Sequence, residues 1–295
     1  MTHFIVRKKV VLMALLLTLA GAAVVVGWGS YRHFAPVTAD ESWQFRVFKD
    51  GIERVSALAA DGDTALFVTQ EFYNGKGRLL RLDPDGRTSC VLEQLSKPDG
   101  LTQFHNALVI SQEGGQQPLL LMENTQVSPL FWAKNIEGIA SDNHFIYAVE
   151  DLPRGRLLQF DPGHNQLRVL RSGLHEAEGV CVAGDGRIFY AEKESGTIKQ
   201  WNPDGVDRIL MSGLNQPGYL CWSDEGLWIT EDATHGARLL LLSDNGRLQV
   251  VLDHLRSAQT LLPLHNGHFL LAEQGRNRIL EIFSTALKSL KKDQS

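Results

Sequence analysis

An apolar strand ending in glutamate recurs six times along the chain, as LFVTQE, LVISQE, IYAVE, IFYAE, LWITE and FLLAE, closing on Glu71, Glu113, Glu150, Glu192, Glu231 and Glu273. The intervals are 42, 37, 42, 39 and 42 residues. So regular a period marks a repeat architecture, in which one supersecondary unit buries its apolar faces only against neighbouring copies. Each glutamate is followed by a short loop and a second strand: RLLRL, LLLM, RLLQF, TIKQW, RLLLL and RILEI. Turn chemistry comes next in four repeats, at Asp83-Pro84-Asp85-Gly86, Asp161-Pro162-Gly163, Asn202-Pro203-Asp204-Gly205 and Ser243-Asp244-Asn245-Gly246. Proline presets φ in such turns, and Gly or Asn accepts a positive φ. A third strand (CVLEQL, LRVLRSGL, RILMSGL, VVLDHL) and a fourth (GLTQF, GIASD, GVCVA, GYLCW) complete the period.

Four short strands per period of about 40 residues is the signature of a β-propeller. Six periods predict six four-stranded blades over residues 42–284. The sixth repeat stops after RILEIF, and the segment WQFRVFK from Trp43 to Lys49 precedes the first. That segment supplies the missing strand, closes the ring and removes exposed sheet edges. A β-sandwich would require neither equal spacing nor a borrowed terminal strand.

The amino-terminal residues stand apart. Residues 10–28, VVLMALLLTLAGAAVVVGW, carry no charge and follow Arg7, Lys8 and Lys9. As a helix this stretch rises about 28 Å, close to the hydrocarbon thickness of a bilayer. The basic flank predicts a cytoplasmic terminus at residues 1–9, a transmembrane signal anchor at 10–28 and a linker at 29–41. The propeller would then lie in the periplasm of a bacterium, or in a lumenal or extracellular space. A cleaved signal peptide is the alternative, with small residues at Ala20 to Ala23, but Val24 to Val26 carry the apolar run past that point. Residues 285–295 read as a solvated basic tail containing Lys288, Lys291 and Lys292. A net charge of −5 offers no broad basic surface, which argues against nucleic acid as a partner. Of three cysteines, Cys181 and Cys221 sit at similar places in consecutive apolar strands and read as buried thiols, a disulfide between neighbouring blades being the alternative.

In a propeller the innermost strand of each blade begins at the face where the second strand ends. Two residue sets therefore meet at one mouth of the central channel. The six glutamates recur in every blade, which favours a structural role in accepting backbone N–H groups, against an acidic funnel that gathers cations. The start of the inner strand varies: Ser56, Asp99, Glu137, Glu178, Pro217 and Gln259. Asp99, Glu137 and Glu178 are each followed by glycine, which lets another group approach the backbone. Three carboxylates converging on one axis repel unless a cation joins them or one keeps its proton. Hard oxygen ligands suit calcium or magnesium, and Gln259 can add a carbonyl oxygen. The expected metal ligands are thus Asp99, Glu137, Glu178 and Gln259, around a divalent cation. Tyr73 is expected in a loop at the same mouth. His175 and His235 lie near it in sequence, while His265 and His268 flank a turn.

The stretch EAEGVCVAGDGRIFYAEKESGTIKQWNPDG, residues 176–205, together with PDGL at Asp99, resembles the repeats of the gluconolactonase / senescence-marker-protein superfamily and its strictosidine-synthase-like relatives. The resemblance extends over about residues 43–284. It implies a divalent cation, often calcium, on the axis, and a carboxylate that activates water against a lactone or ester. Asp99 resembles the family's aspartate in the same motif, and Glu178, with Glu137, its Glu-Gly motif; Asp99 and Glu178 are the implied catalytic carboxylates. The family's asparagine ligands have no counterpart here, and Ser56 stands where the family places a glutamate. Three readings follow: a metal-dependent hydrolase of a small lactone or ester, a non-catalytic propeller binding a small molecule or an envelope protein, and a strictosidine-synthase-like enzyme.

Overall fold

The computed structural model describes residues 2–285, without the side chains of residues 2–12, 14 and 32. The chain separates into two compact units, residues 1–37 and 38–295. The first is a single helix, Thr2–Phe34. Among the described residues no helix is long and apolar enough to cross a membrane. The side chains of Arg7, Lys8 and Lys9 and of residues 10–12 and 14 of the expected span, and the tail from residue 286 onward, lie outside the description.

The second unit is a six-bladed β-propeller. Blade one runs Val55–Asp61, Ala65–Gln70, Gly77–Leu82 and Thr88–Leu95 from the axis outward. Blades two to five repeat the order, with inner strands Leu101–Phe104, Ile136–Ser141, Ala177–Val182 and Pro217–Ser223. Blade six has the inner strand Ala258–Pro263, then His268–Glu273 and Arg278–Ser284. Its outer strand is Trp43–Asp50, paired antiparallel from Trp43↔Ser284 to Asp50↔Arg278, so the amino-terminal segment closes the ring as its sequence predicts. Blade five carries a fifth strand: Thr38–Ala39, within the stretch read as linker, pairs with Leu252 and Asp253. The inner strands follow one another round the axis and contact their neighbours in order.

The blades pack face to face, which explains why their second strands read as unbroken apolar runs rather than alternating ones. IYAVE of blade three and IFYAE of blade four are buried at every position. Each interface between blades holds an apolar layer. Leu119, Phe131, Ile136, Ile146 and Phe160 join blades two and three. Cys181, Phe189, Leu220, Ile229 and Leu240 join blades four and five. Where the ring closes, Trp43 meets Trp228 and Phe269 at centroid distances of 5.2 and 6.1 Å. Outer strands such as Gln166–Leu174 are largely exposed and polar. The three thiols are free; Cys181 is buried and Cys221 half-buried at equivalent strand positions.

Candidate functional site

A device repeated in every blade builds the axial mouth. The residue just before each inner strand adopts the left-handed conformation: Arg54, Lys97, Asn135, Glu176, Gln216 and Ser257 have φ of 50, 52, 48, 50, 55 and 49°. Its carbonyl accepts the N–H of the residue that follows the second strand: Glu71, Glu113, Asp151, Lys193, Asp232 and Gln274, at 2.8–3.0 Å. In five blades the register then slips within the first residues of the inner strand. Such a bulge takes a side chain out of the ladder and re-aims it. Ser56, Asp99, Glu137, Glu178 and Gln259 form this inner ring, all buried.

The register corrects two sequence readings. Ile136, Ala177 and Ala258 pair with Glu150, Glu192 and Glu273, whereas Val55 pairs with Gln70. The sixfold position is therefore held by Gln70 in blade one and, by the same register, Gln112 in blade two. Glu71 and Glu113 stand one residue further on, in the second ring. In blade five Pro217 occupies the backbone position of Ala177 and Ala258, so Gly218 stands where Glu178 and Gln259 stand in their blades.

The four glutamates left at the repeat position are staples. Glu231 accepts the N–H of Asn215 at 2.8 Å and both Arg238 nitrogens at 2.7 and 2.5 Å. Glu150 holds the Lys134 N–H and Arg156, and Glu273 holds the Arg256 N–H with Arg276 and Arg278. Glu192 holds the His175 N–H and Lys199. Gln112 does the same work in blade two, accepting the Ser96 N–H at 2.9 Å. In blades three to six the repeated carboxylate thus ties the blade to the connection that enters it, the structural role weighed from the sequence.

Chemistry concentrates instead where the inner ring meets the second. Seven carboxyl groups (Glu71, Asp99, Glu113, Glu137, Asp151, Glu178 and Asp232) face two ammonium groups, Lys97 and Lys193. Lys97 is ion-paired with Glu113 and lies 3.5 Å from Glu71 and 3.7 Å from Asp99. Lys193 is ion-paired with Glu178 and lies 3.0 Å from Asp232. Ser56 donates to Asp99, Gln274 to Glu71, and Ser257 and Gln259 to Asp232. Glu137 Oε2, Asp151 Oδ1 and Glu178 Oε2 are buried with no hydrogen-bond partner. Tyr73 sits at the rim, its ring 5.5 Å from Lys97 Nζ.

Burial and mutual repulsion set the protonation of this cluster. Burial, then the charge of Asp99, pushes Glu71 up to about 7. Burial, then Glu178, raises Glu137 well above the carboxylate range, and burial, then Asp232, does the same to Glu178. Asp151 is raised by burial. Burial alone would lower both lysines, but Asp99, Glu137 and Glu71 around Lys97, and Glu178, Asp232 and Glu137 around Lys193, raise them and keep them charged.

Two acid triads have ligand atoms all within 4.8 Å of one another: Glu71, Asp99 and Glu113, and Glu113, Glu137 and Asp151. Lys97 lies against all three acids of the first, and its closest partner, Glu113, belongs to both. The second offers two of the unpartnered oxygens, and its all-carboxylate donors fit a hard cation such as calcium. Of the ligands expected from the sequence, Asp99 and Glu137 fall in different triads. Glu178 is paired with Lys193, and the Gln259 amide is turned to Asp232. Asp151 escaped the sequence reading, and Glu113 entered it only as one of the six repeat glutamates. The signal available was the polar residue after every repeat position: Glu71, Glu113, Asp151, Lys193, Asp232, Gln274.

Glycines draw the ring together. A Cβ on Gly100 would lie 2.6 Å from the Glu137 carbonyl, and one on Gly138 would lie 2.9 Å from Gly179 Cα and closer still to the Glu178 carbonyl. The glycine after each acid is therefore there for close approach of the next blade, as read from the sequence. Gly218 differs. A Cβ there meets only ordinary contacts, 3.4 Å to Glu178 Oε2 and to Asp232 Cβ. Gly218 therefore puts no side chain beside the unpartnered oxygen of Glu178. Lys193 and Asp232 next to it have side chains 24% and 18% exposed, against 2% for Glu178.

No protein-family model matches the chain, and no curated protein matches it. Solved structures do. One is a protein assigned as a gluconolactonase, at 12% identity and a TM-score of 0.65, with 84% of this chain and 94% of that one covered. Another is an auxiliary nutrient binding protein from Bacteroides thetaiotaomicron, at 14% identity and a TM-score of 0.64, covering 84% and 76%. A chain of the nidogen/laminin complex aligns at 16% identity and a TM-score of 0.59, covering 68% and 83%. At such identities the likeness is one of fold.

Proposed function

We propose that the axial mouth binds a divalent cation, calcium fitting its donors best, and that the propeller hydrolyses a small lactone or ester there. The observation that carries this reading is the triad of Glu113 and Glu137, both buried, and half-buried Asp151, within reach of one ion, with Glu137 Oε2 and Asp151 Oδ1 unpartnered. Buried carboxylates without partners are costly, and a cation removes that cost. The gluconolactonase-assigned neighbour, matched over nearly its whole length, supports the substrate class.

Glu113, Glu137 and Asp151 would hold the ion, which when bound supplies Lewis acidity and a water of lowered pKa. The rest is the work of this chain's residues. A small substrate would approach Glu178 where the ring carries no side chain at Gly218. Glu178, kept neutral by burial, presents Oε2 there as a proton donor to a leaving oxygen. Asp99, oriented by Ser56, is the carboxylate placed to take a proton from water. Lys97 and Lys193 hold the carboxyl groups around them in place. Strictosidine-synthase-like chemistry is the remaining enzymatic alternative.

The same proposal puts the propeller at a membrane. The uncharged run at 10–28 behind Arg7, Lys8 and Lys9 supports a signal anchor with a cytoplasmic terminus and a periplasmic or lumenal propeller.

A second reading, a non-catalytic propeller binding a small molecule or an envelope protein, is favoured by the near-complete burial of the acids and by the ammonium groups already among them.

The test is thermal unfolding of the full chain in chelator, then with calcium, magnesium or manganese, followed by a screen of lactones and esters. A ligand that binds only the folded state must raise the midpoint. A rise that vanishes in Glu137→Gln, with metal-dependent turnover, supports the hydrolase. A rise without turnover supports the binding reading. No rise with any ion refutes the metal site.

A further inference from the structure

Blade one lacks the staple that the other blades carry. In blades two to six a side chain at the repeat position accepts the N–H of the connection entering the blade. Gln112 takes it from Ser96, Glu150 from Lys134, Glu192 from His175, Glu231 from Asn215 and Glu273 from Arg256. In blade one the position is Gln70, whose amide nitrogen donates instead to the Glu53 carbonyl at 3.0 Å. The Glu53 N–H, which the pattern assigns to a carboxylate, has no acceptor among the described residues.

The same loss releases an arginine. Arg78 stands opposite Gln70, as Arg278 stands opposite Glu273 and, by continued register, Arg156 opposite Glu150 and Arg238 opposite Glu231. Arg278, Arg156 and Arg238 bond their glutamates at 2.6, 2.6 and 2.7 Å. Arg78 has only Glu93, at 3.6 Å, and its side chain is 53% exposed, against 19%, 39% and 31% for the other three. Blade two leaves no arginine stranded, because by register Pro118 stands opposite Gln112.

An open cavity of about 440 Å³ lies on blade one where the staple is missing. Gln70, Arg78, Lys76, Glu53, Glu93 and the half-buried Phe72 line it. A bare anion there would meet Arg78 and Lys76 but also face Glu53 and Glu93. A molecule with one carboxylate and one ammonium can pair with both sets, and a guanidinium takes a carboxylate through two parallel hydrogen bonds.

We infer that this cavity binds a small zwitterion, an amino acid whose carboxylate takes the place of the missing glutamate on Arg78 and whose ammonium meets Glu53 and Glu93. Phe72 offers an apolar side chain a surface to lie on. The volume lies in the range of small-molecule sites, which run from about 300 to 1,000 Å³. The site is separate from the proposed cation site, since no residue of either acid triad lines the cavity. Exposed ion pairs are individually weak, so the expected Kd is on the order of a millimolar.

The experiment is a saturation-transfer NMR titration of the full chain in lipid nanodiscs with L-leucine, empty nanodiscs serving as the blank. Saturable binding, unchanged by chelator, is expected. L-leucinamide, which lacks the carboxylate, and N-acetyl-L-leucine, which lacks the ammonium, should each bind roughly threefold or more weaker. Arg78→Met should raise the Kd for leucine roughly tenfold or more. Gln70→Glu supplies the missing carboxylate within the chain. It should weaken leucine binding to the same degree and yet raise the urea midpoint, which rules out unfolding as the cause. No saturable signal above the blank, affinity for either analogue equal to that for leucine, or wild-type affinity in Gln70→Glu or Arg78→Met would overturn the inference.

Discussion

The pH dependence of stability isolates one carboxyl group of the acid cluster. Glu71 titrates at about 7 in the folded protein against 4.5 as a free side chain, chiefly because it is buried. At low pH both folded and unfolded chains carry its proton. Between about pH 4.5 and 7 the folded chain keeps a proton that the unfolded chain has released, so stability falls as pH rises through this window and levels off above it. At about 1.4 kcal/mol per pKa unit, this shift amounts to roughly 3 kcal/mol. The side chain is only 6% exposed, so solvent screening takes little from this figure. For a domain of this size that corresponds to a midpoint change of about 6 to 12 °C. Glu137, Glu178 and Asp151 are raised too and act in the same direction. The assay is a series of thermal scans in chelator from pH 4.5 to 8 on the wild type and on Glu71→Gln. The variant should lose about 3 kcal/mol of the downward slope. Calcium should flatten the wild-type profile, because a bound cation keeps carboxylates ionised. Parallel profiles for the two proteins in chelator, or a wild-type stability that rises across the window, would refute the reasoning.

Other expectations concern the frame that presents the site. Gly138→Ala puts a Cβ against the backbone of blade four and should cost about 1 to 3 kcal/mol by overpacking, read as a lower urea midpoint. Gly218→Ala meets no such obstacle. It should unfold at or above the wild-type midpoint, yet set a methyl group against Glu178 Oε2 and reduce lactone turnover. Glu231→Ala strands Arg238 and the Asn215 N–H and should cost about 3 to 5 kcal/mol in urea unfolding, although Glu231 is remote from the acid triads.

Much of the frame was legible because propeller physics writes itself into periodic sequence. Second strands packed on both faces must be apolar throughout, and IYAVE and IFYAE announce that directly. The truncated sixth repeat and the stray WQFRVFK had to belong together, since an open ring leaves two edges. The glycines after Asp99, Glu137 and Glu178 likewise declared a close approach. What escaped was register. TQE and SQE place glutamine and glutamate side by side, and either can accept a backbone N–H, so composition does not say which one staples and which faces the axis. Counting from the inner apolar residues would have aligned Gln70 with Glu150 and released Glu71 to the second ring. The same slip hid Gly218 behind Pro217. Asp151 and Lys193 were hidden for a different reason: the left-handed residue that positions them is Arg, Lys, Asn, Glu, Gln or Ser from blade to blade, so no glycine marks it. Lys97 and Lys193 could not be placed among the acids without the fold, because each reaches partners in a neighbouring strand or blade.

The central claim is an ion held by Glu113, Glu137 and Asp151. The most direct measurement is a crystal structure of the protein equilibrated with manganese, with diffraction recorded at the manganese edge. One anomalous peak is expected at the mouth between blades two and three, coordinated by those three carboxylates, with Lys193 still paired to Glu178. An empty mouth at saturating manganese, with Lys97 and protonated acids filling it, would contradict the account.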